Sequence, residues 1–351
     1  MSSNGYYNFE KLKEFDNHRI VAIIRDESAD LLAYIAIHRG GLNKPAFGAT
    51  RLWPYDSGFD ALKDALTLSR VMTYKAAMAG LPYGGAKAVI VSPKNGTSRN
   101  ALLKAYAERV NYLSNHFVTG ADVGISPQDV KLMSTTCSNM VGIKCDPVKH
   151  TVHGVYSSIL ACVKEMYGSE KLSERTFAIQ GLGKTGFGIL ELLYSQAKKI
   201  YVTDINIQQI KHVLTQFPNI EVVKLGDIYK QKVDVFSPCA LSNTLNHKSI
   251  SKLQCKIIVG SANSQLEDEE IGTLLHKLGI LYAPDYIVNA GGLMAVVDEY
   301  ENGDSKEDQV ITKVKRIKNT LKIVIANSKK KNKATNLIAN EMAEKIFKNI
   351  V

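Results

Sequence analysis

The stretch "RTFAIQGLGKTGFGILELLYSQAKKIYVTD" (175–204) constrains the fold more than any other part of the chain. Residues 175–180 read as a strand, 187–197 carry a helical apolar period, and 199–204 return to strand. Between the first strand and the helix lies Gly181-Leu182-Gly183-Lys184-Thr185-Gly186. A strand, a glycine turn, a helix and a second strand within about 30 residues make a βαβ unit, and hence two parallel strands. Each glycine has a physical task. Gly181 permits the tight turn, Gly183 lets backbone approach a pyrophosphate, and Gly186 lets helix and strand pack closely. The helix N-terminus attracts the phosphate charge. Asp204 ends the second strand 18 residues after Gly186. Its carboxylate would accept hydrogen bonds from the adenosine ribose and repel a 2′-phosphate. Ile205-Asn206-Ile207 offers no arginine for such a phosphate. These features point to NAD rather than NADP.

The rest of the chain fits around this unit. Residues 20–24 and 32–38 read as strands, 57–80 as a long helix, 86–91 as a strand and 99–115 as a helix. Ser126-Pro127 is an N-cap followed by proline at the first helical position, opening a helix through about residue 140. The chain therefore reads as α/β in two domains. Residues 1–147 form an N-terminal α/β substrate domain, and 148–327 a Rossmann-type dinucleotide-binding domain. Residues 328–351 form a C-terminal helix expected to pack back on the first domain.

Composition excludes several classes. With 45% hydrophobic and 22% charged residues, the chain is ordinary for a soluble globular protein. No apolar run is long enough to span a bilayer. The N-terminal "MSSNGYYNFEKLKEFD" carries acids and lacks an apolar core, so it does not read as a signal peptide. Cys137, Cys145, Cys162, Cys239 and Cys255 are odd in number, and no two stand at a metal-site spacing. This suits a reduced, cytoplasmic compartment and no metal. The net charge is +10, part of it in "SKKKNK" (328–333). No nucleic-acid module accompanies it, and a solvated basic surface is the expectation.

A second loop, "LPYGGAKAVI" (81–90), sets a charged residue at the mouth of an apolar strand. It is no phosphate loop: Lys87 is one place late after Gly80 and Gly85, and Ala88 has no hydroxyl for magnesium. Two readings stay open on the residues alone. Lys87 is either a snorkelling lysine at a strand end or a base whose amine is uncharged by desolvation.

Five stretches together carry a resemblance: "FGATRLWPY", "MTYKAAMAGLPYGGAKAVI", "FVTGADVGIS", "DVFSPCALSNTLN" and "YAPDYIVNAGG". Over nearly its whole length the chain resembles the amino-acid dehydrogenases of the leucine, phenylalanine, valine and tryptophan type. The resemblance implies two domains separated by a cleft and a reversible, NAD-dependent oxidative deamination. Lys87 would then be catalytic, Asp122 of "ADVG" would exchange protons with the amino group, and Lys75 of "MTYK" would bind the substrate carboxylate. Gly48, Gly84 and Gly85 would lie at the substrate, the last two admitting it close to the backbone. Thr151 and Asn263 would contact the nicotinamide half, Ala240 would line the cofactor, and Asn289 would lie near the substrate.

The resemblance places the substrate side chain against Phe47, Gly120, Leu293 and Val296. None of these is a cation, so a second carboxylate is disfavoured and glutamate with it. Gly120 with Leu293 resembles the aromatic-accepting members, while Phe47 fills space. Aromatic or large aliphatic amino acids are the expectation. The family also forms homo-oligomers, usually through the N-terminal domain. Four features depart from the pattern: Ala49 stands where the second glycine of a Gly-Gly-Thr element is usual, Lys184 where asparagine is, Ser264 replaces a second asparagine, and "DPVKH" precedes Thr151 in place of a Ser-Pro hinge. A dinucleotide-binding protein that kept the fold and lost the reaction is the alternative.

Overall fold

The computed structural model describes residues 9–40, 43–93, 98–304 and 306–348. The first eight residues of the N-terminal stretch considered above lie outside this range. The chain divides into two compact units. One is formed by Met1–Cys145, Glu299–Glu301 and Ala343–Val351, the other by Asp146–Asp298 and Asn302–Met342.

The first unit holds a six-stranded mixed sheet. Its strands are β1 (Ile20–Asp26), β2 (Leu31–Ile37), β3 (Ala46–Phe47), β4 (Thr50–Trp53), β5 (Gly84–Val91) and β6 (Phe117–Val118). The spatial order is β1-β2-β5-β3-β6, and β4 also pairs with β5. β2 runs antiparallel to β5, while β3 and β4 run parallel to it. β5 is covered on both faces, which explains its continuous apolar run. Ala86, Ala88 and Ile90 face a core that includes Leu102, Leu103 and Tyr106 of helix α2. The alternate residue Val89 faces Ala61, Leu62, Ala65 and Leu66 of helix α1. Helix α1 (Gly58–Met78) opens on Ser57, whose hydroxyl accepts from the Asp60 amide, and α2 spans Arg99–Asn111.

The helix opened by Ser126-Pro127, α3 (Pro127–Met133), ends well before residue 140. The Ser134 and Thr135 hydroxyls donate back to the carbonyls of Lys131 and Leu132. Side-chain hydroxyls here compete for the carbonyls that would continue the helix. After it, the amides of Gly142, Ile143, Lys144 and Cys145 all donate to the carboxylate of Glu299, at 3.1–3.3 Å. Four successive amides around one carboxylate make an anion nest filled by the chain itself.

The second unit begins with α4 (Pro147–Tyr167). The helix starts four residues before Thr151, at the stretch "DPVKH". The Asp146 carboxylate accepts from the amides of Val148 and Lys149, and Pro147 takes the first helical turn. Six parallel strands follow: β7 (Thr176–Gln180), β8 (Lys199–Thr203), β9 (Glu221–Val222), β10 (Val235–Pro238), β11 (Ile257–Ile258) and β12 (Leu281–Tyr282). Their order, β12-β11-β10-β7-β8-β9, is that of a doubly wound dinucleotide-binding sheet, with its switch point between β7 and β10. Helix α5 (Lys184–Tyr194) follows β7 through the glycine turn. Among the described residues, no helix is long and apolar enough to cross a membrane.

Candidate functional site

In the first unit, period-two alternation puts Lys87 on the same face of β5 as Val89, the face covered by α1. Lys87 is 5% exposed. Its Nζ lies 2.7 Å from Oδ2 of Asp122, which follows β6. The same oxygen accepts from Nε of Arg51 at 3.0 Å. Arg51 sits on β4 in register with Val89, so it emerges beside Lys87. Its other arm donates to Oδ2 of Asp64 on α1 at 2.8 Å, and the Tyr55 hydroxyl donates to that same Asp64 oxygen. The result is a row of alternating charge: Lys87, Asp122, Arg51, Asp64. Burial pushes the Asp122 carboxyl up, but the cations of Lys87 and Arg51 outweigh it and hold it down at about 2. Burial and the Asp64 carboxylate raise the Tyr55 phenol above its ordinary range.

The counter-charge facing Lys87 is thus a carboxylate. Sequence reasoning weighed only desolvation at Lys87 and missed Arg51 altogether, although it stands in the quoted "FGATRLWPY". A charged residue inside a short strand was the available signal. Lys75 is half-buried in the last turn of α1, among buried Ala76, Ala77 and Met78.

Gly48, Gly84 and Gly85 each let another part of the protein approach closely. A Cβ on Gly84 would overlap the Arg39 carbonyl, one on Gly85 the backbone of Met72 and Thr73, and one on Gly48 the Ala86 carbonyl. Helix α1 therefore lies directly on Gly85, whose amide donates to the Thr73 hydroxyl at 3.0 Å. Neighbouring backbone thus fills the Cβ side of Gly84 and Gly85, which gives both glycines a packing reason. Gly120 behaves similarly, since its Cβ would stand 2.8 Å from the Val141 carbonyl oxygen. Phe47 is 1% exposed, with its ring edge-on to Tyr83 at 4.6 Å and to Tyr300 at 5.3 Å between centroids.

In the second unit, Gly181 has φ +94°, a conformation glycine adopts freely, and Ala240 lies against it. A Cβ on Gly186 would overlap the Gly181 carbonyl, whereas one on Gly183 would meet nothing within 4 Å. Gly183 is the N-cap of α5 and offers no side chain to the helix amides. A turn that exposes uncapped helix amides beside an open glycine suits a pyrophosphate, so the residues present fit a dinucleotide. Lys184 is exposed at the first helical position, and the Thr185 hydroxyl is 2.8 Å from that of Ser261. Leu182 is fully buried, and its amide donates to Oδ2 of Asp204 at 2.6 Å. Oδ1 of Asp204 accepts from the Asn206 amide at 2.7 Å.

Asn289 is 5% exposed. Its Nδ2 donates to the Ser261 carbonyl at 3.2 Å and to Oδ1 of Asn263 at 2.9 Å, while its own Oδ1 is buried without a partner. A buried amide oxygen without a donor is costly and suits a ligand that brings one. Thr151 donates to the Pro147 carbonyl at 2.8 Å, and Gly291 and Gly292 lie against this start of α4. Leu293 is buried and Val296 half-buried on the helix Gly291–Asn302.

Comparison with known proteins adds an independent line. Residues 20–139 match the sequence model described as the Glu/Leu/Phe/Val dehydrogenase dimerisation domain. Residues 201–349 match the model of the glutamate/leucine/phenylalanine/valine dehydrogenases. The leucine dehydrogenase of Bacillus cereus is 36% identical over 342 residues, covering 96% of this chain and 92% of that protein. The phenylalanine dehydrogenase of Lysinibacillus sphaericus is 39% identical over 324 residues, covering 90% and 84%. The crystal structure of L-tryptophan dehydrogenase from Nostoc punctiforme superposes with a TM-score of 0.81 at 39% identity, covering 95% of this chain and 96% of that one.

Proposed function

Because this chain belongs to the glutamate/leucine/phenylalanine/valine dehydrogenase family, and so is an oxidoreductase acting on the CH–NH2 group of an amino acid, we propose that it carries out the NAD-dependent, reversible oxidative deamination of an apolar L-amino acid to the 2-oxo acid and ammonium. The observation that carries this reading is the buried 2.7 Å pair of Lys87 and Asp122. Two titratable groups in direct contact can pass a proton between them, and deamination needs protons moved at both nitrogen and water.

Lys75 pairs with the substrate carboxylate and fixes its orientation. Asp122 takes a proton from the substrate ammonium. Once Cα has lost its hydride, Lys87 in its uncharged form draws a proton from the water that attacks that carbon, Asp122 returns its proton to the nitrogen, and ammonia leaves. The nicotinamide, when bound, supplies the hydride acceptor. Gly181, Leu182, Gly183, Lys184, Thr185 and Gly186 would hold its pyrophosphate and Asp204 the adenosine ribose. Ala240, Thr151 and Asn263 would line the remainder, with Asn289 near the substrate.

Phe47, Gly120, Leu293 and Val296 present no charge, which supports an aromatic or branched aliphatic side chain over a second carboxylate. The match to a dimerisation domain supports a homo-oligomer.

The test is NADH formation across a panel of L-amino acids, read by absorbance with NAD and with NADP. Turnover with NAD and an apolar amino acid is expected, reversed by ammonium and the 2-oxo acid. Absence of turnover across the whole panel, or a preference for glutamate, would overturn the reading.

A further inference from the structure

The row of charge beside Lys87 contains a residue for which deamination has no direct use. Arg51 spans two carboxylates, with Nε on Asp122 and NH1 on Asp64. Register places it: Thr50, Arg51 and Leu52 pair with Ala88, Val89 and Ile90 of β5, so the guanidinium emerges on the Lys87 side of the sheet. Its planar fork is held from behind by Asp64, itself bound by the Tyr55 hydroxyl. The two oxygens of Asp122 are treated unequally. Oδ2 receives both Lys87 and Arg51, and among the described residues Oδ1 receives neither.

Resting on the deamination reading, we infer that Arg51 is a positioning residue. It clamps Oδ2 of Asp122 against Lys87, and so turns Oδ1 toward the substrate amine as the proton-accepting oxygen. The clamp acts on the reaction only through Asp122. Two cations and two carboxylates balance in formal charge, which offsets the cost of burying them together. Lysine cannot replace arginine here. A single ammonium on a flexible stem does not hold two carboxylates in one plane.

The experiment compares wild type, R51K and R51Q in steady-state deamination from pH 5 to 11, with NAD titration by protein fluorescence alongside. R51Q is expected to lose at least tenfold in kcat while KM for the amino acid stays within about threefold. The acid limb of its pH–rate profile should move to higher pH, because the Lys87–Asp122 pair holds its proton more tightly once the guanidinium charge beside it is gone. R51K should show a smaller displacement in the same direction, and NAD affinity should be unchanged in both. A kcat loss with the acid limb in place would mean only fewer folded molecules and would overturn the inference. If R51Q does not fold, R51K decides: wild-type kcat and an unmoved limb overturn it. Wild type without turnover on any amino acid would instead remove the deamination reading on which it rests.

Discussion

The two glycine-bearing loops of this chain do opposite things. At the mouth of β5, Gly84 and Gly85 are filled by neighbouring backbone, and the chemistry is left to side chains: Lys87, Asp122 and Arg51, locked in ion pairs. At the turn before α5, Gly183 faces open space, and the chemistry is left to backbone amides at a helix end. The first loop is a packing device that presents buried charge. The second is an open helix end with no side chain in the way, which would suit a bound phosphate. A Gly-Gly-x-Lys and a Gly-x-Gly therefore carry different liabilities although both read as glycine-rich.

The sharpest way to break this comparison is Lys87→Ala. If the first loop exists to present Lys87, turnover should fall by ~10²–10⁴-fold. NAD binding, measured by fluorescence titration, should hold, since the turn at Gly181–Gly186 belongs to the other unit. Comparable losses of both would merge the two loops into one function.

Next in size is a matched pair. Gly85→Ala forces a methyl into the backbone of α1 and should cost ~1–3 kcal/mol or more, read as a lower Tm. Gly183→Ala meets no protein atom and should leave Tm within about a degree or two while weakening NAD. Equal Tm losses would show that both glycines are packing devices.

Acid comes third. Asp122 has a carboxyl held at about 2 against 3.8 ordinarily, with burial opposing and Lys87 and Arg51 dominating. Its contribution is fully present above pH 3.8 and is lost as pH falls through 2, on the order of 2 kcal/mol. Thermal unfolding from pH 5 to 2 should show this loss, and Asp122→Asn should flatten that part of the curve. A variant as acid-sensitive as wild type would assign the loss to other carboxylates.

The smallest effect is at Asp204. Asp204→Ser removes the acceptor for the Leu182 amide as well as a partner for the ribose. NAD should weaken by roughly tenfold, and discrimination against NADP should relax. NADP should not reach the wild-type affinity for NAD, because the turn itself loosens. Unchanged binding of both would detach Asp204 from the cofactor.

What was legible in the sequence follows from how local each signal is. β7, the turn, α5 and β8 lie within 30 residues, and their periods and glycines announce one another. The six-strand parallel order extends the same logic. Lys87 stood out as a charge at the mouth of an apolar strand, but Asp122 entered only through motif resemblance, since nothing in their spacing brings residues 87 and 122 together. Arg51 was missed because its role depends on the register of β4, four residues long, against β5. The packing of α1 on Gly85 was not legible, because sequence shows that space is needed but not what fills it. Helix α3 was drawn too long because the hydroxyls of Ser134 and Thr135 read as ordinary polar residues until they bond backward.

The Glu299 carboxylate in its nest of four amides has a consequence for synthesis. The first unit is interrupted in the chain: the loop at Gly142–Cys145 waits for a carboxylate from residue 299, after the whole of Asp146–Asp298. At ~5–20 residues per second, that intervening segment takes roughly 8–30 s to be synthesised. During that interval the nascent N-terminal unit carries four amides with no acceptor but water. The polypeptide is closed from its far end, and a ribosome halted before residue 299 would release a first unit whose loop had never been latched.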